Sequence, residues 1–321
     1  MAQANAGFAV EDVEGRPDPS AEPKGARGIR DRHLKYWLVA PALLIVALTA
    51  LYPLFESLRY SFTVGRLTRP NFPQAYIGVE NYEWALTNEP LFWNSVWVTL
   101  IYTIITVVLT TVLALGLAML LAPGGRFRSG VQTLLILPFA MSPALIGVSF
   151  RFMFNPEFGL FDAFFGVVFP PLADVAWLSD PTLAFVVCVM ADVWGWIPFL
   201  TLVLIGGLAS IPRDTLEAAE VDGASGWRVF KDITLPQLVP VLAVVVILKT
   251  IFSLKTFDQV YMLTNGGPGS ATQTLSHYVY TQGFKYGSLG FSASVAWLMV
   301  IPMIALTFAY ARFVFRPKAV G

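Results

Sequence analysis

Residues 217–236 read Glu-Ala-Ala-Glu-Val-Asp-Gly-Ala-Ser-Gly-Trp-Arg-Val-Phe-Lys-Asp-Ile-Thr-Leu-Pro, a polar stretch between two long apolar segments. The pattern predicts two amphipathic half-helices that meet at Gly223, because glycine readily adopts the positive φ that ends a helix. Pro212 suits the start of the first half-helix, and Ser225 can cap the second. We expect Leu235-Pro236 to redirect the chain into the next apolar segment. These features are typical of a docking element held at a membrane surface.

Both half-helices carry apolar residues at a spacing that places them on one side. In the first half-helix we expect an inward side formed by Leu216, Ala219 and Val221. In the second, we expect apolar contacts from Trp227, Val229 and Phe230, while Arg228 and Lys231 remain in water.

The composition is that of a polytopic membrane protein. Of 321 residues, 56% are hydrophobic and 13% are charged, whereas a soluble domain carries about a quarter charged residues. Cys188 is the single cysteine, so the chain cannot form an internal disulfide. The formal net charge is zero and there is no basic block, which speaks against a nucleic-acid partner.

Spanning the hydrocarbon core of a bilayer takes about 20 apolar residues in a helix. Six segments of this chain qualify, which predicts an all-α membrane protein with six transmembrane helices, several of them kinked by proline. The predicted spans are 36–62, 94–122, 131–153, 182–208, 238–262 and 291–315.

The distribution of Lys and Arg predicts the orientation of these spans. Basic residues are concentrated in the tail 1–35, in the loop after the second span, in the loop 209–237 and in the tail 316–321, whereas none occurs from 152 to 212. Both termini and the loop 209–237 are therefore expected in the cytoplasm. The tail 1–35 is expected to be disordered or amphipathic and has no signal-peptide pattern.

The segment 217–236 matches the pattern E-A-A-x3-G-x9-I-x-L-P at every fixed position. It closely resembles the cytoplasmic coupling motif of permease subunits of binding-protein-dependent ABC importers. The resemblance implies that this segment contacts an ATPase subunit. The contact residues it implies are Glu217, Ala218, Ala219, Asp222, Gly223 and Ala224.

Two further segments resemble the carbohydrate branch of that family. Residues 78–82, Gly-Val-Glu-Asn-Tyr, look like a G-x-x-N-Y element, and residues 257–268 are similar to the F-D-x-I-Y-x-L-T-x-G-G-P run of the maltose-transporter MalF-type subunit. The resemblance implies the MalF/MetI-like permease fold in a bacterial inner membrane. It also implies three partners: a second permease of the MalG type, an ATPase homodimer and an extracytoplasmic solute-binding protein. The residues expected to contact the binding protein are Gly266, Gly267 and Pro268.

The chain lacks the sequence features of an enzyme. It has no G-x-x-x-x-G-K-[ST] phosphate-binding loop and no metal-ligand cluster, and its two histidines, His33 and His277, lie far apart. We therefore expect no cofactor in this chain, with ATP and magnesium bound by the partner ATPase.

Charged residues within spans are costly and usually face a cavity or a partner. Asp192 lies in the fourth span and Lys249 in the fifth, where Lys249, Ser253 and Thr256 can share one helical face. Near the outer end of the fifth span, Lys255 and Asp258 are interpreted as a local pair or a contact to the binding protein.

Aligned on the coupling motif, the sugar-contacting positions of the maltose subunit imply a cargo site of aromatic and polar residues. The implied residues are Asp192, Trp194, Gly195, Trp196, Phe199, Lys249, Ser253 and Thr256. Lys249 departs from the neutral residue expected there. It can bind an anionic group on the cargo, or it can form a buried ion pair with Asp192.

The sequence thus favours a sugar-importer permease and leaves rivals open. An importer of an anionic sugar derivative or a polyol phosphate fits Lys249. A stand-alone secondary transporter would need its own ion-coupling carboxylates and no coupling loop, and a scaffold without transport would not need polar residues in mid-span.

Overall fold

A computed structural model of the protein describes residues 30–67, 75–122, 126–168 and 175–314. The expected C-terminal tail 316–321 lies outside the described residues, and so does most of the expected N-terminal tail 1–35. The chain divides into two compact units, Met1–Glu56 and Ser57–Gly321.

The first apolar span begins in helix α1 (Arg30–Val46), which is followed by a π-helical segment (Ala47–Leu51) and by α2 (Tyr52–Ser61). The 24-residue stretch Leu38–Ser61 is long enough and apolar enough to cross a bilayer. It lies where the sequence predicts the span 36–62.

The second unit is helical in its described parts. Its long apolar helices are α4, α8, α11 and α14, and shorter helices lie between them. In chain order the helices are α3 (Glu80–Thr87), α4 (Pro90–Leu121), α5 (Arg126–Ala140), α6 (Pro143–Met153), α7 (Leu160–Val168), α8 (Pro181–Ala209), α9 (Arg213–Val221), α10 (Gly226–Val229), α11 (Leu235–Leu254), α12 (Asp258–Leu263), α13 (Leu275–Tyr280) and α14 (Leu289–Val314).

The predicted third span, 131–153, is not one straight helix. The segments Gly130–Ala140 and Pro143–Met153 meet at an angle of 93°. Ser142 adopts an extended conformation before Pro143, as steric contact with a following proline favours. Its hydroxyl accepts a hydrogen bond from the Leu145 amide at 3.2 Å and so caps α6. Within the described residues there are thus five long apolar helices, or six spans if the bent pair counts as one.

The predicted fifth span, 238–262, also has different limits. Helical structure is continuous over Gly226–Leu254 and includes a π-helical segment, Phe230–Thr234. The expectation that Leu235-Pro236 redirects the chain is therefore wrong. The wider π turn, in which the Leu235 amide donates to the Phe230 carbonyl, removes the need for a break at the proline that follows.

Helix α8 is the central element of the second unit, since 56% of its apolar stretch is buried, against 33% for α4. It packs against α4 on one side and α11 on another. Gly207 allows a close approach here, because a Cβ at this position would lie 2.8 Å from the Leu238 side chain. The buried cluster that joins the three helices contains Ala114, Ala118, Leu200, Leu204, Leu238 and Val245.

Polar contacts hold the segment after α11 against the long helices. The Gln259 side chain donates to the carbonyl of Cys188 in α8 at 3.0 Å. The Leu275 amide donates to the Thr99 hydroxyl in α4 at 2.8 Å. These contacts place α12 and α13 at one end of the bundle, next to the region of the predicted cargo site.

Candidate functional site

Two oppositely charged side chains meet inside the second unit. The ammonium group of Lys249, in α11, donates a hydrogen bond to the carboxylate of Asp192, in α8. Lys249 is 0% exposed and Asp192 is 4% exposed. Buried charges are tolerated when they are paired, because the attraction offsets part of the lost hydration. Of the two alternatives that the sequence leaves open for Lys249, the ion pair is the arrangement in this conformation.

Aromatic side chains surround one side of the ion pair. The Lys249 ammonium lies 5.1 Å from the centroid of the Trp196 ring, a cation–π distance. The Trp196 ring lies 4.8 Å from that of Phe252 and 6.1 Å from that of Phe199. Phe199 in turn stacks on Phe139 at 4.6 Å, next to the bend between α5 and α6. The sequence interpretation missed Phe139 and Phe252.

One face of α8 carries three of the predicted cargo residues. Asp192, Trp196 and Phe199 follow the i, i+4, i+7 spacing that brings side chains to the same side of a helix. Two other predicted residues, Trp194 and Gly195, lie on the side of α8 that faces α6. The Trp194 ring lies 5.8 Å from that of Phe150 in α6. A Cβ at Gly195 would meet Ile146 at 2.8 Å. These two residues support the packing of α6 and are not brought to the ion pair.

The predicted face of α11 is shorter than expected. Ser253 is buried and shares a hydrogen bond with the Thr106 hydroxyl of α4 at 3.0 Å. Thr256 lies beyond the end of the helix at Leu254, so it does not continue the face. Its carbonyl accepts from the Thr274 hydroxyl at 3.0 Å.

Helix α4 contributes polar groups that the sequence interpretation missed. Hydroxyl side chains recur every three or four residues through this apolar helix, and this spacing is the signal that predicts a buried polar face. Tyr102 is 1% exposed, and its hydroxyl lies near enough to the side chains of Asp192 and Thr256 to interact with them electrostatically, although no hydrogen bond joins it to either. The buried hydroxyl residues of α4 are Ser95, Thr99, Tyr102, Thr103, Thr106 and Thr110.

The predicted coupling segment has the expected break. Helix α9 ends before Gly223, which has φ of +75°, and the Ser225 side chain accepts from the Arg228 amide at 3.4 Å. Ala219 is buried, as expected for the inward side. Val221 is instead 87% exposed, so the expected inward side is wrong for this residue. Trp227 is 71% exposed, and its ring lies 5.4 Å from that of Phe230, an apolar contact of the expected kind.

The Gly-Gly-Pro turn after α12 is held by side chains of α13 and its surroundings. Gly266 has φ of +83° and is buried against His277, whose ring would lie 2.8 Å from an added Cβ. The Thr272 hydroxyl donates to the Gly267 carbonyl at 2.7 Å. Gly267 and Pro268 are partly exposed. The turn is therefore built on Gly266, and its next two residues reach the surface.

Near the end of α11 lie two more charged residues, Lys255 and Asp258, which are not paired as Lys249 and Asp192 are. The Lys255 ammonium lies 4.4 Å from the centroid of the Phe252 ring. No ion pair joins Lys255 to Asp258 within the described residues, so the expected local pair is not present in this conformation.

The bundle of apolar spans, the buried polar centre and the exposed segment between α8 and α11 define a multi-pass permease of the inner membrane. The chain belongs to the family described as binding-protein-dependent transport system inner membrane component, which matches residues 112–317. Permeases of this family are subunits of ABC transporters, and the predicted fold class is confirmed.

Relatives and a solved structure share most of their length with this chain. The sulfoquinovosyl glycerol transport system permease of Agrobacterium fabrum is 33% identical over 301 residues, 93% of this chain and 96% of that protein. The trehalose/maltose transport system permease MalF of Thermococcus litoralis is 34% identical over 283 residues, 88% and 94% of the two chains. A bacterial ABC transporter for the acidic polysaccharide alginate has the same fold, with a TM-score of 0.78, 19% identity and coverage of 90% and 98%.

Proposed function

We propose that this chain is the permease subunit of an ATP-driven importer, and that it carries a sugar or sugar derivative delivered by a solute-binding protein. The observation that carries the proposal is the buried Lys249–Asp192 pair beside Trp196, at the point where the central helix α8 meets α11. Charged groups at this depth are costly in an apolar bundle and are typical of a cargo pathway. The transport systems of the two relatives support the choice of a sugar.

The cargo site of the proposal consists of groups that suit a carbohydrate. Aromatic rings such as Trp196 and Phe199 can stack on the C–H faces of a sugar ring, and polar groups such as Ser253 can bind its hydroxyls. In this conformation the Trp196 ring packs against that of Phe199, and Ser253 is hydrogen-bonded to Thr106. Cargo would enter when α8 and α11 separate, which the alternating exposure of a central site to the two sides of the membrane requires.

The segment of α9 and α10 is assigned to coupling. Val221 and Trp227 present apolar side chains to the surface on either side of Gly223. Exposed apolar groups of this kind are favoured contacts at the centre of a protein interface. We assign the contact to an ATPase homodimer, with Glu217, Ala218, Ala219, Asp222 and Ala224 as its further members.

The proposed importer contains three further components besides this chain: ATPase subunits, a second permease and a solute-binding protein. ATP and magnesium are bound by the ATPase subunits, and a second permease of the MalG type completes the path. The partly exposed Gly267 and Pro268 contact the solute-binding protein outside the membrane, together with Gly266 that shapes their turn. Both termini then lie in the cytoplasm.

A second candidate cargo is an anionic sugar derivative or a polyol phosphate. The observation that favours it is Lys249, a buried cation whose described hydrogen-bond acceptor is Asp192 alone. An ammonium group donates well to a sulfonate, phosphate or carboxylate, and such a group can compete with Asp192 for Lys249.

The test is affinity purification of the tagged chain from its native membrane in mild detergent, followed by mass spectrometry and by uptake assays in liposomes. We expect a P-loop ATPase and a second permease in the preparation, and uptake that requires ATP. Trp227→Ala should reduce recovery of the ATPase at least tenfold, because exposed tryptophans are frequent hot spots of interfaces. Trp84→Ala is the matched control, since Trp84 is 55% exposed in α3, outside the coupling segment.

Purification of the chain alone, with ATP-independent uptake in liposomes, would contradict the proposal. A secondary transporter would then be the better interpretation. Equal losses of ATPase in the Trp227→Ala and Trp84→Ala variants would contradict the assignment of the coupling segment.

A further inference from the structure

The hydroxyl of Tyr102 has no hydrogen bond although it is buried. Tyr102 lies on α4 with 1% of its surface exposed, and its ring packs edge-on against Phe185 at 6.0 Å. A buried hydroxyl without a partner is costly, and such groups in a native protein often have a functional reason. The tertiary structure brings this hydroxyl near enough to the Asp192 carboxylate for the two groups to interact electrostatically, and no hydrogen bond joins them.

Asp192 therefore faces two donors from two different helices. Lys249 of α11 holds the hydrogen bond, and Tyr102 of α4 faces the same carboxylate without one. A tyrosine hydroxyl is a good donor to a carboxylate, because hydrogen bonds to an ionised acceptor are short and strong. A movement of α4 toward α8 would bring the Tyr102 hydroxyl into hydrogen-bond contact with Asp192.

The need for a second donor arises when cargo binds. An anionic group that takes Lys249 removes the cation from Asp192 and leaves a buried, uncompensated carboxylate, which is strongly unfavourable. Tyr102 is the group positioned to donate to Asp192 at that moment. The Trp196 ring, 5.1 Å from the ammonium group, gives Lys249 a second contact that does not depend on Asp192.

We propose that Tyr102 is a positioning residue that replaces Lys249 as the hydrogen-bond donor to Asp192, so that Lys249 can bind an anionic group of the cargo. This inference rests on the proposed function and makes it more specific. A neutral sugar cannot compete with Asp192 for the ammonium group, whereas a sulfonate or phosphate can. The exchange moves no proton and breaks no covalent bond, and it selects anionic sugar derivatives and polyol phosphates.

The test uses the complete importer in liposomes with its binding protein and ATP. Four probes are compared: sulfoquinovosyl glycerol and sn-glycerol 3-phosphate as anionic cargo, and maltose and trehalose as neutral cargo. We expect uptake of an anionic probe. Tyr102→Phe should raise its KM or lower its uptake at least tenfold, because the variant keeps the ring and loses only the hydroxyl. Tyr278→Phe is the matched control, since Tyr278 is also fully buried with an unpaired hydroxyl.

A double-mutant cycle separates a positioning role from a structural one. If Tyr102 acts through Asp192, the effect of Tyr102→Phe should disappear in an Asp192→Asn background. A merely structural tyrosine would give the same loss in both backgrounds and the same shift in Tm as the Tyr278→Phe control. Additive effects of Tyr102→Phe and Asp192→Asn on uptake would therefore overturn the inference.

The outcomes also separate this inference from the proposed function. ATP-dependent uptake of neutral probes alone would overturn the role of Tyr102 and Lys249 in anion selection, and would leave the importer function intact. Absence of ATP-dependent uptake for all four probes, without an ATPase in the preparation, would overturn both.

Discussion

The ammonium group of Lys249 in α11 is hydrogen-bonded to the carboxylate of Asp192 in α8, and both side chains are buried in the bundle. The two charges come from spans that are separated by the whole coupling segment in the sequence. The pair links α8 and α11, the two helices between which we propose that the cargo passes. Its strength therefore bears on both stability and transport.

Removal of one charge is predicted to cost more than removal of both. Lys249→Ala leaves Asp192 buried without a cation, which should lower stability by about 3–5 kcal/mol. The double variant Lys249→Met with Asp192→Leu should recover most of this loss, because well-packed apolar side chains can replace a buried pair. Thermal denaturation of the purified importer measures the loss in the Lys249→Ala variant and the recovery in the double variant.

The control for this prediction is Lys255→Ala. Lys255 is exposed and lies at the end of the same helix, so its removal should change stability by no more than about 0.5 kcal/mol. Equal Tm values for the Lys249→Ala variant and the wild-type protein would contradict an energetic role of the pair.

Adjacent glycines in α8 should respond in opposite directions to alanine. A Cβ at Gly206 meets nothing within 4 Å, so Gly206→Ala should stabilise the helix by about 0.5–1 kcal/mol. A Cβ at Gly207 would lie 2.8 Å from Leu238 and 3.0 Å from Val241, so Gly207→Ala should destabilise by about 1–3 kcal/mol. Thermal unfolding of the two variants, which differ by one position, tests how closely α8 and α11 pack. A higher Tm for Gly207→Ala would show that the helices are further apart.

Gly223 should be sensitive to the backbone preference of its replacement. Its φ of +75° is unfavourable for most residues, whereas a Cβ there meets nothing within 4 Å. Gly223→Val should strain the turn by about 1–2 kcal/mol, while Gly223→Asn should be better tolerated because asparagine adopts this conformation more readily. We expect Gly223→Val to lower the amount of cargo transported per ATP hydrolysed in the reconstituted importer, with Gly223→Asn close to the wild type. Similar values for the two variants would contradict a role of the turn angle.

His277 is predicted to make stability depend on pH. Burial, together with the nearby Lys285, lowers the pKa of His277 from 6.5 to about 4. Above pH 6.5 the side chain is neutral in both the folded and the unfolded chain. Between pH 6.5 and about 4 the unfolded chain binds a proton that the folded protein does not, so stability falls as the pH decreases.

The measurement is the Tm of the wild type and of His277→Gln from pH 8 to pH 4. Carboxylates titrate in both proteins, so the difference between the two curves isolates the histidine. The Tm of the wild type minus the Tm of His277→Gln should decrease as the pH falls from 6.5 to about 4. The reason is that only the wild type loses stability through the histidine. Parallel curves would contradict the lowered pKa.

Several elements could be predicted from the sequence because their signals are local. The long apolar stretches predict the spans, and the break at Gly223 follows from the glycine between two amphipathic segments. The π-helical turn before Pro236 could not be predicted in this way, since it depends on how a continuous helix accommodates the proline. The prolines of the span 131–153 predict a kink, but the angle of 93° at Ser142 could not be predicted, because it depends on how the two helices pack.

In the candidate site, too, some residues could be predicted from local sequence and others could not. Asp192 and Lys249 stand out in the sequence because a charge in an apolar span is costly. Trp194 was grouped with them through the resemblance to the maltose subunit, but in the structure its ring lies near Phe150 of α6. Tyr102 belongs to a span whose hydroxyl residues did not suggest a contact with Asp192.

The sequence by itself determined the class of this protein: a chain of apolar spans with two charged residues in their interior and a polar coupling segment between them. Hydrophobicity and local backbone preferences set these features, and both can be read from neighbouring residues. Only the tertiary structure decided which side chains meet. Packing of α4, α8 and α11 pairs Lys249 with Asp192 and brings the Tyr102 hydroxyl near the same carboxylate. Such contacts between distant helices depend on the rotation and separation of each helix in the bundle.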